Sequence, residues 1–192
     1  MVISKDLFAT SDGEITGNIE ISDNNKYIIV WKNGCLQGEN SKKVKGRYYL
    51  FEDHREICKG RLERIDHNAC HVANNGTFIC AEYYFHSDKP KSTFYAYTCN
   101  GEPLLKIKFR ANINNSAISS NGHYALCQTC NSDNRHRNLL TLFDLISSVE
   151  VWSINPPFWA ARYDFHLDTG EVCLINDGHW WKPYKSLTLS LA

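Results

Sequence analysis

The side chains best equipped for chemistry in this sequence are its eight cysteines and eight histidines. Two groupings have spacings that a metal could use. Cys127-Gln-Thr-Cys130 is a CxxC with His136 six residues on, and His67, Cys70 and His71 form a second cluster. A structural zinc site needs four ligands, usually two such pairs, and no second CxxC is present. Cys127 also falls inside an apolar run, and residues three apart on a strand point to opposite faces. Buried thiols and surface histidines are the expected state of both groups, and no cofactor is expected. There is no Gly-x-Ser-x-Gly elbow and no glycine-rich phosphate loop. Paired acids for glycoside hydrolysis could come from Glu52-Asp53, Asp164, Asp168 or Glu171. Most of these fall at expected turns, where solvation accounts for them.

Side chains suited to binding are more promising. The segment Asn131–Arg137 (NSDNRHR) reads as an exposed hairpin loop, with Arg135 and Arg137 able to pair with carboxylates. Trp180, Trp181 and Tyr184 share one stretch, His179–Tyr184, and Trp159 follows Pro156-Pro157-Phe158. Trp, Tyr and Arg are the residue types that anchor interfaces, and bare tryptophans beside proline are costly. These six are the candidate partner contacts, with packing between structural units as the alternative for the tryptophans. Lys42–Arg47 (KKVKGR) is basic but flanked by Glu39, Glu52, Asp53 and Glu56, so a solvated loop is expected there.

The elements that must hold these residues repeat along the chain. An apolar residue, a polar step, an Asn/Asp turn and a strongly apolar run recur four times, from Ile19, His71, Ala117 and Asp164. The last turn residues are Asn25, Gly76, Gly122 and Gly170, which lie 51, 46 and 48 residues apart. A period of about 40–50 residues belongs to propeller blades or helical arrays. Residue type decides for strands. Asn and Gly tolerate the positive φ of a tight hairpin, and the runs after the turns are β-branched, aromatic or small. They are apolar without alternation, as strands covered on both faces should be. Leu105, Ile107 and Phe109 instead alternate with Lys106, Lys108 and Arg110, as do Leu187, Leu189 and Leu191 with Thr188 and Ser190, which marks half-exposed strands. A helix over Arg47–Arg64 is the weaker alternative for that stretch.

Each repeat parses as four strands, and a unit of that kind cannot bury its faces alone. Ser120–Ile154 resembles a blade of the WD40-type β-propeller superfamily, and Thr93–Phe109 resembles the two outer strands of related propellers. Phe143-Asp144 stands where that superfamily has Trp-Asp, and no Gly-His pair opens a repeat. The resemblance implies an all-β propeller of about four four-stranded antiparallel blades in one domain spanning 1–192. The blades would cover about 18–64, 66–110, 111–155, and 158–192 together with 1–16. In that scheme the N-terminal strands complete the last blade and close the ring.

Composition narrows the function. The 192 residues carry 21 Lys plus Arg against 21 Asp plus Glu, a formal net charge of zero. That removes the general electrostatic case for nucleic acid or an anionic membrane, and no small-molecule ligand is evident. The first ten residues lack the apolar stretch of a signal peptide. Single cysteines within apolar runs suit a reduced, cytoplasmic protein. The expected function is a non-catalytic protein-binding module, either a dedicated subunit of a complex or a neutralising partner of the immunity or antitoxin type. The alternative is a hydrolase or lyase with a His/acidic, metal-assisted site in the central channel.

Overall fold

Turn chemistry sets the frame. The computed structural model describes residues 2–4, 7–9, 16–37, 42–62, 67–83, 90–176 and 185–191. In it all four repeat markers have left-handed backbone, with φ of 60° at Asn25, 81° at Gly76, 74° at Gly122 and 70° at Gly170. The first and third turns share one wiring. Ser22 Oγ accepts from Tyr27 N at 3.0 Å and Asn24 Oδ1 from Lys26 N at 3.1 Å. Ser119 Oγ accepts from Tyr124 N at 2.9 Å and Asn121 Oδ1 from His123 N at 3.0 Å. Short Ser and Asn side chains satisfy the turn's own amides in this way, so the hairpin closes without help from the core. Successive turns also join, with Asn24 N donating to Asn74 Oδ1 at 2.9 Å and Asn74 N to Ser120 O at 2.8 Å.

Strands run from these turns into four antiparallel sheets. The first sheet contains β1 (Val2–Ser4), β2 (Leu7–Ala9), β3 (Thr16–Ile21) and β4 (Tyr27–Lys32). A separate hairpin of β5 (Cys35–Gln37) and β6 (Lys42–Val44) follows. The chain then returns to the first sheet with β7 (Gly46–Glu52) and β8 (Arg55–Leu62), in the order β1-β2-β3-β4-β7-β8. The second sheet is β9 (His67–Val72), β10 (Phe78–Tyr83), β11 (Ser92–Tyr97) and β12 (Pro103–Phe109). The third is β13 (Ile113–Ile118), β14 (Tyr124–Thr129), β15 (Leu140–Asp144) and β16 (Val149–Ile154). The fourth has three strands among the described residues, β17 (Arg162–His166), β18 (Glu171–Asn176) and β19 (Lys185–Ser190). No helix occurs among the described residues. The described part of Arg47–Arg64, residues 47–62, lies in the β7–β8 hairpin, whose turn residues Asp53 and His54 both have positive φ, at 45° and 69°. Lys42–Arg47 lies in β6 and the start of β7 rather than in a loop.

Three apolar cores in series glue the sheets together, and the inner strands feed two of them at once. On β10, Phe78 and Cys80 enter the core shared with the first sheet, while Ile79 and Ala81 enter the core shared with the third. Cys127 of β14 faces that second core and Leu126 the third, beside Tyr163, Val172 and Leu174 of the last sheet. An apolar run without alternation is the outcome of packing both faces of one strand. The far face of the last sheet is different. Arg162, His166, Glu171, Ser186, Thr188 and Ser190 are exposed there, with Ile175 the buried apolar side chain among them.

That polar face explains a departure from expectation. The N-terminal strands do not complete the last sheet. β2 pairs with β3 (Phe8↔Gly17, Ala9↔Thr16) and β1 with β2, extending the first sheet instead. Strands close in sequence pair readily, and burying the charged face of the last sheet against another blade would gain little. Among the described residues no apolar cluster joins the last sheet to the first.

The turns carry a prediction. A Cβ at Gly122 would come within 2.4 Å of Asn75 Oδ1, whereas one at Gly170 meets nothing within 4 Å. Gly170→Ala is expected to cost about 1 kcal/mol, the backbone penalty alone. Gly122→Ala must also displace Asn75 from its bond to Thr77 N, at 2.9 Å, and is expected to cost about 2–3 kcal/mol. Urea midpoints of the two variants check this, and equal losses would show that the turn-to-turn contact contributes nothing.

Candidate binding cleft

The β14–β15 loop is held at its base by strand pairing that continues past the sheet. Thr129 N donates to Leu139 O and Leu139 N to Thr129 Oγ1, each at 2.9 Å, Cys130 N donates to Asn112 O at 2.7 Å, and Asn138, at φ 45°, donates its N–H to Cys130 O at 3.1 Å. Within the loop, Asn134 acts twice. Its Oδ1 accepts from His136 N at 2.9 Å, and its Nδ2 donates to Arg110 O at 2.6 Å in the β12–β13 connection. Asn155 Nδ2 then donates to Arg137 O at 2.7 Å from the other side. Apart from the Thr129 hydroxyl, these bonds use backbone or amide groups. Arg135 and Arg137 are both exposed, with Arg135 Nε donating to His136 Nε2 at 3.3 Å.

His136 is a peg for the loop, not a metal ligand. Its ring stands edge-on to Phe109 at 5.6 Å, and Nδ1 accepts from Arg110 N at 2.8 Å. That bond requires an unprotonated Nδ1, and Arg135 Nε approaches the other ring nitrogen, Nε2, at 3.3 Å. Burial lowers its pKa below the ordinary 6.5, and the neighbouring charges of Arg135 and Arg110 lower it further. Below pH 6.5 the unfolded chain therefore takes up the proton before the folded one does. The anchorage is complete above that pH and is lost as pH falls through the lower folded-state value. An NMR titration of the ring is expected to give a midpoint below 6.5. A midpoint at or above 6.5 would remove the peg.

Between this loop and the second sheet lies a cleft of ≈ 790 Å³, lined by Lys91, Arg110, Asn131, Ser132, Asp133 and Arg137 among others. Three cations face one carboxylate. Neither the Arg110 nor the Arg137 guanidinium meets a carboxylate among the described residues. A smaller hollow of ≈ 390 Å³ on the loop's other flank is lined by Arg135, Arg137 and Asn155, so Arg137 borders both. The sequence had marked Arg135 and Arg137. It missed Lys91 and Arg110, which read only as exposed strand-end residues. Arg110 follows Phe109 at the point where β12 ends, and a cation at that junction was the available signal.

The remaining candidates are dispersed. Trp159 is 43% exposed, its carbonyl accepting from Asn176 Nδ2 at 3.4 Å. Trp180, Trp181 and Tyr184 lie outside the described residues, as does the side chain of His67. Cys127 is buried in the core between the second and third sheets, while Cys130 sits half-buried past the strand end. Burial pushes both thiols up in pKa, which makes them poor nucleophiles. Cys70 is buried with its Sγ 3.1 Å from Cys80 Sγ, and His71, on the opposite face, pairs through Nδ1 with Glu20 Oε2 at 2.6 Å. Among the described residues no three His, Cys, Asp or Glu side chains converge on a metal position. Three of the five acids considered for hydrolysis have partners within their own sheets. Glu52 accepts from Tyr27 OH at 2.9 Å and Lys26 Nζ at 2.7 Å, Asp164 pairs with Arg162 at 3.5 Å, and Glu171 accepts from Thr169 Oγ1 at 3.2 Å.

No protein-family model matches the sequence, and no curated protein matches it. Among solved structures, a crystal structure of HIRA(644-1017) aligns at TM-score 0.54 and 12% identity, over 88% of this chain and 51% of that one. An oligogalacturonate lyase in complex with manganese aligns at TM-score 0.49 and 12% identity, over 95% of this chain and 53% of that one. The chain thus spans about half the length of each. With its four antiparallel sheets in series, it has a divergent β-propeller-type fold.

Proposed function

We propose that this protein is a non-catalytic binding module that presents the β14–β15 loop and its flanking cleft to a protein partner in the cytoplasm. One observation carries the reading: the loop's backbone is tied down by the Asn134, Asn138 and Asn155 amides while the exposed Arg137 guanidinium meets no carboxylate among the described residues. Rigid display of charged side chains lowers the entropy lost on association, and loops on a fixed β frame are where recognition concentrates. The free thiols of the described cysteines fit a reducing compartment. Within this reading the chain serves as a dedicated subunit, or it neutralises an enzyme by plugging it. The competing reading, a hydrolase or lyase, would draw on the Glu20–His71 pair, and a stoichiometric metal in the purified protein would favour it. Affinity purification from the native host tests the proposal. A partner recovered in stoichiometric amount supports it, and recovery of none counts against both versions.

A further inference from the structure

We infer that the cleft between the second and third sheets takes an extended, Asp- or Glu-bearing segment of the partner protein. The inference rests on the binding-module reading and names the chemistry that module recognises. Among the described residues of the walls, Arg110 and Arg137 face the single carboxylate of Asp133, and Lys91 lies in the same lining, so positive charge exceeds negative there. These cations come from three separate segments: ahead of β11, past the end of β12, and within the β14–β15 loop. Positive charge spread along a cleft suits carboxylates spaced along a chain better than one compact dianion. Arginine forks match planar carboxylates in two-point geometry. Asn131, exposed in the same cleft, offers an amide group to a peptide backbone. Ser132 also lines the cleft. The volume is within the range of sites that enclose a short segment.

Fluorescence anisotropy on the full-length chain tests this, using labelled hexaglutamate, hexalysine and a neutral hexapeptide bearing one phosphoserine. Hexaglutamate is expected to bind, weakening about tenfold or more with Arg110→Glu/Arg137→Glu and weakening also as salt is raised. Hexalysine is expected not to bind. Both arginines bond through their backbones, so the reversed side chains leave the loop ties intact, and a thermal melt verifies the fold. If the reversal unfolds the chain, Arg110→Gln/Arg137→Gln gives the same comparison with a smaller loss. Tighter binding of the phosphoserine peptide overturns the carboxylate assignment. Equal affinity of wild type and variant for hexaglutamate, or none in either, overturns the cleft. A host partner still captured equally by the variant would then leave the module reading standing, whereas no partner and no peptide binding would remove both.

Discussion

Gln128→Leu is expected to destabilise the protein by about 3–6 kcal/mol, although it replaces one side chain by another of similar size. Gln128 lies on β14 with no exposed surface and uses all its capacity. Its Oε1 accepts from Ala160 N at 2.9 Å and Tyr163 OH at 3.0 Å, and its Nε2 donates to Phe158 O at 2.9 Å and Asn138 Oδ1 at 3.2 Å. One amide therefore ties the third sheet to the fourth and to the base of the binding loop. Leucine fills the space and leaves the amide of Ala160, the carbonyl of Phe158 and the hydroxyl of Tyr163 without partners. Each orphaned buried group costs about 1–3 kcal/mol, against a total stability of about 5–15 kcal/mol for a domain. Urea unfolding followed by tryptophan fluorescence measures the loss, and proteolysis within 155–161 should accelerate as the last sheet loosens. A loss below about 1 kcal/mol would show that the network is not the tie.

Phe78→Ala is expected to cost about 3–5 kcal/mol. The ring is fully buried where the first two sheets meet, 5.2 Å from the Tyr48 ring and 5.1 Å from the Tyr97 ring. Its removal opens a cavity between aromatic neighbours that rigid strands cannot close. Trp159→Ala removes a larger side chain, yet one that is 43% exposed, and is expected to change stability by less than about 1 kcal/mol. The contrast between the two is the test. Similar losses would contradict the assignment of Phe78 to the inter-sheet core and of Trp159 to the surface.

The repeat itself was legible because its causes are local. A Ser or Asn at the turn's start and an Asn or Gly at its end dictate the hairpin, whatever the chain does later. The turns marked by Asn25 and Gly122 follow that rule in full, and those at Gly76 and Gly170 keep the positive-φ glycine at the end. The two-faced burial of Phe78–Ala81 and Ala125–Cys127 was readable for the same reason, since an unbroken apolar run has to be covered on both sides. Half of the cleft was legible too, because Asn131–Arg137 carries its loop signature and its arginines in one stretch. Lys91 and Arg110 were not. Each is an ordinary surface cation in its own segment and becomes a cleft wall only when the second and third sheets meet.

By its own order of residues, this chain determined four tandem β units, their turns and the sides of each strand that must be buried. Those choices depend on neighbours a few positions away. Tertiary structure alone decided that the N-terminal strands join the first sheet and that Gln128 bridges the third sheet to the fourth. It also decided that three cations from separate segments share one cleft. Such outcomes depend on which faces meet across long stretches of chain, and residue patterns specify that a face is apolar without specifying its partner.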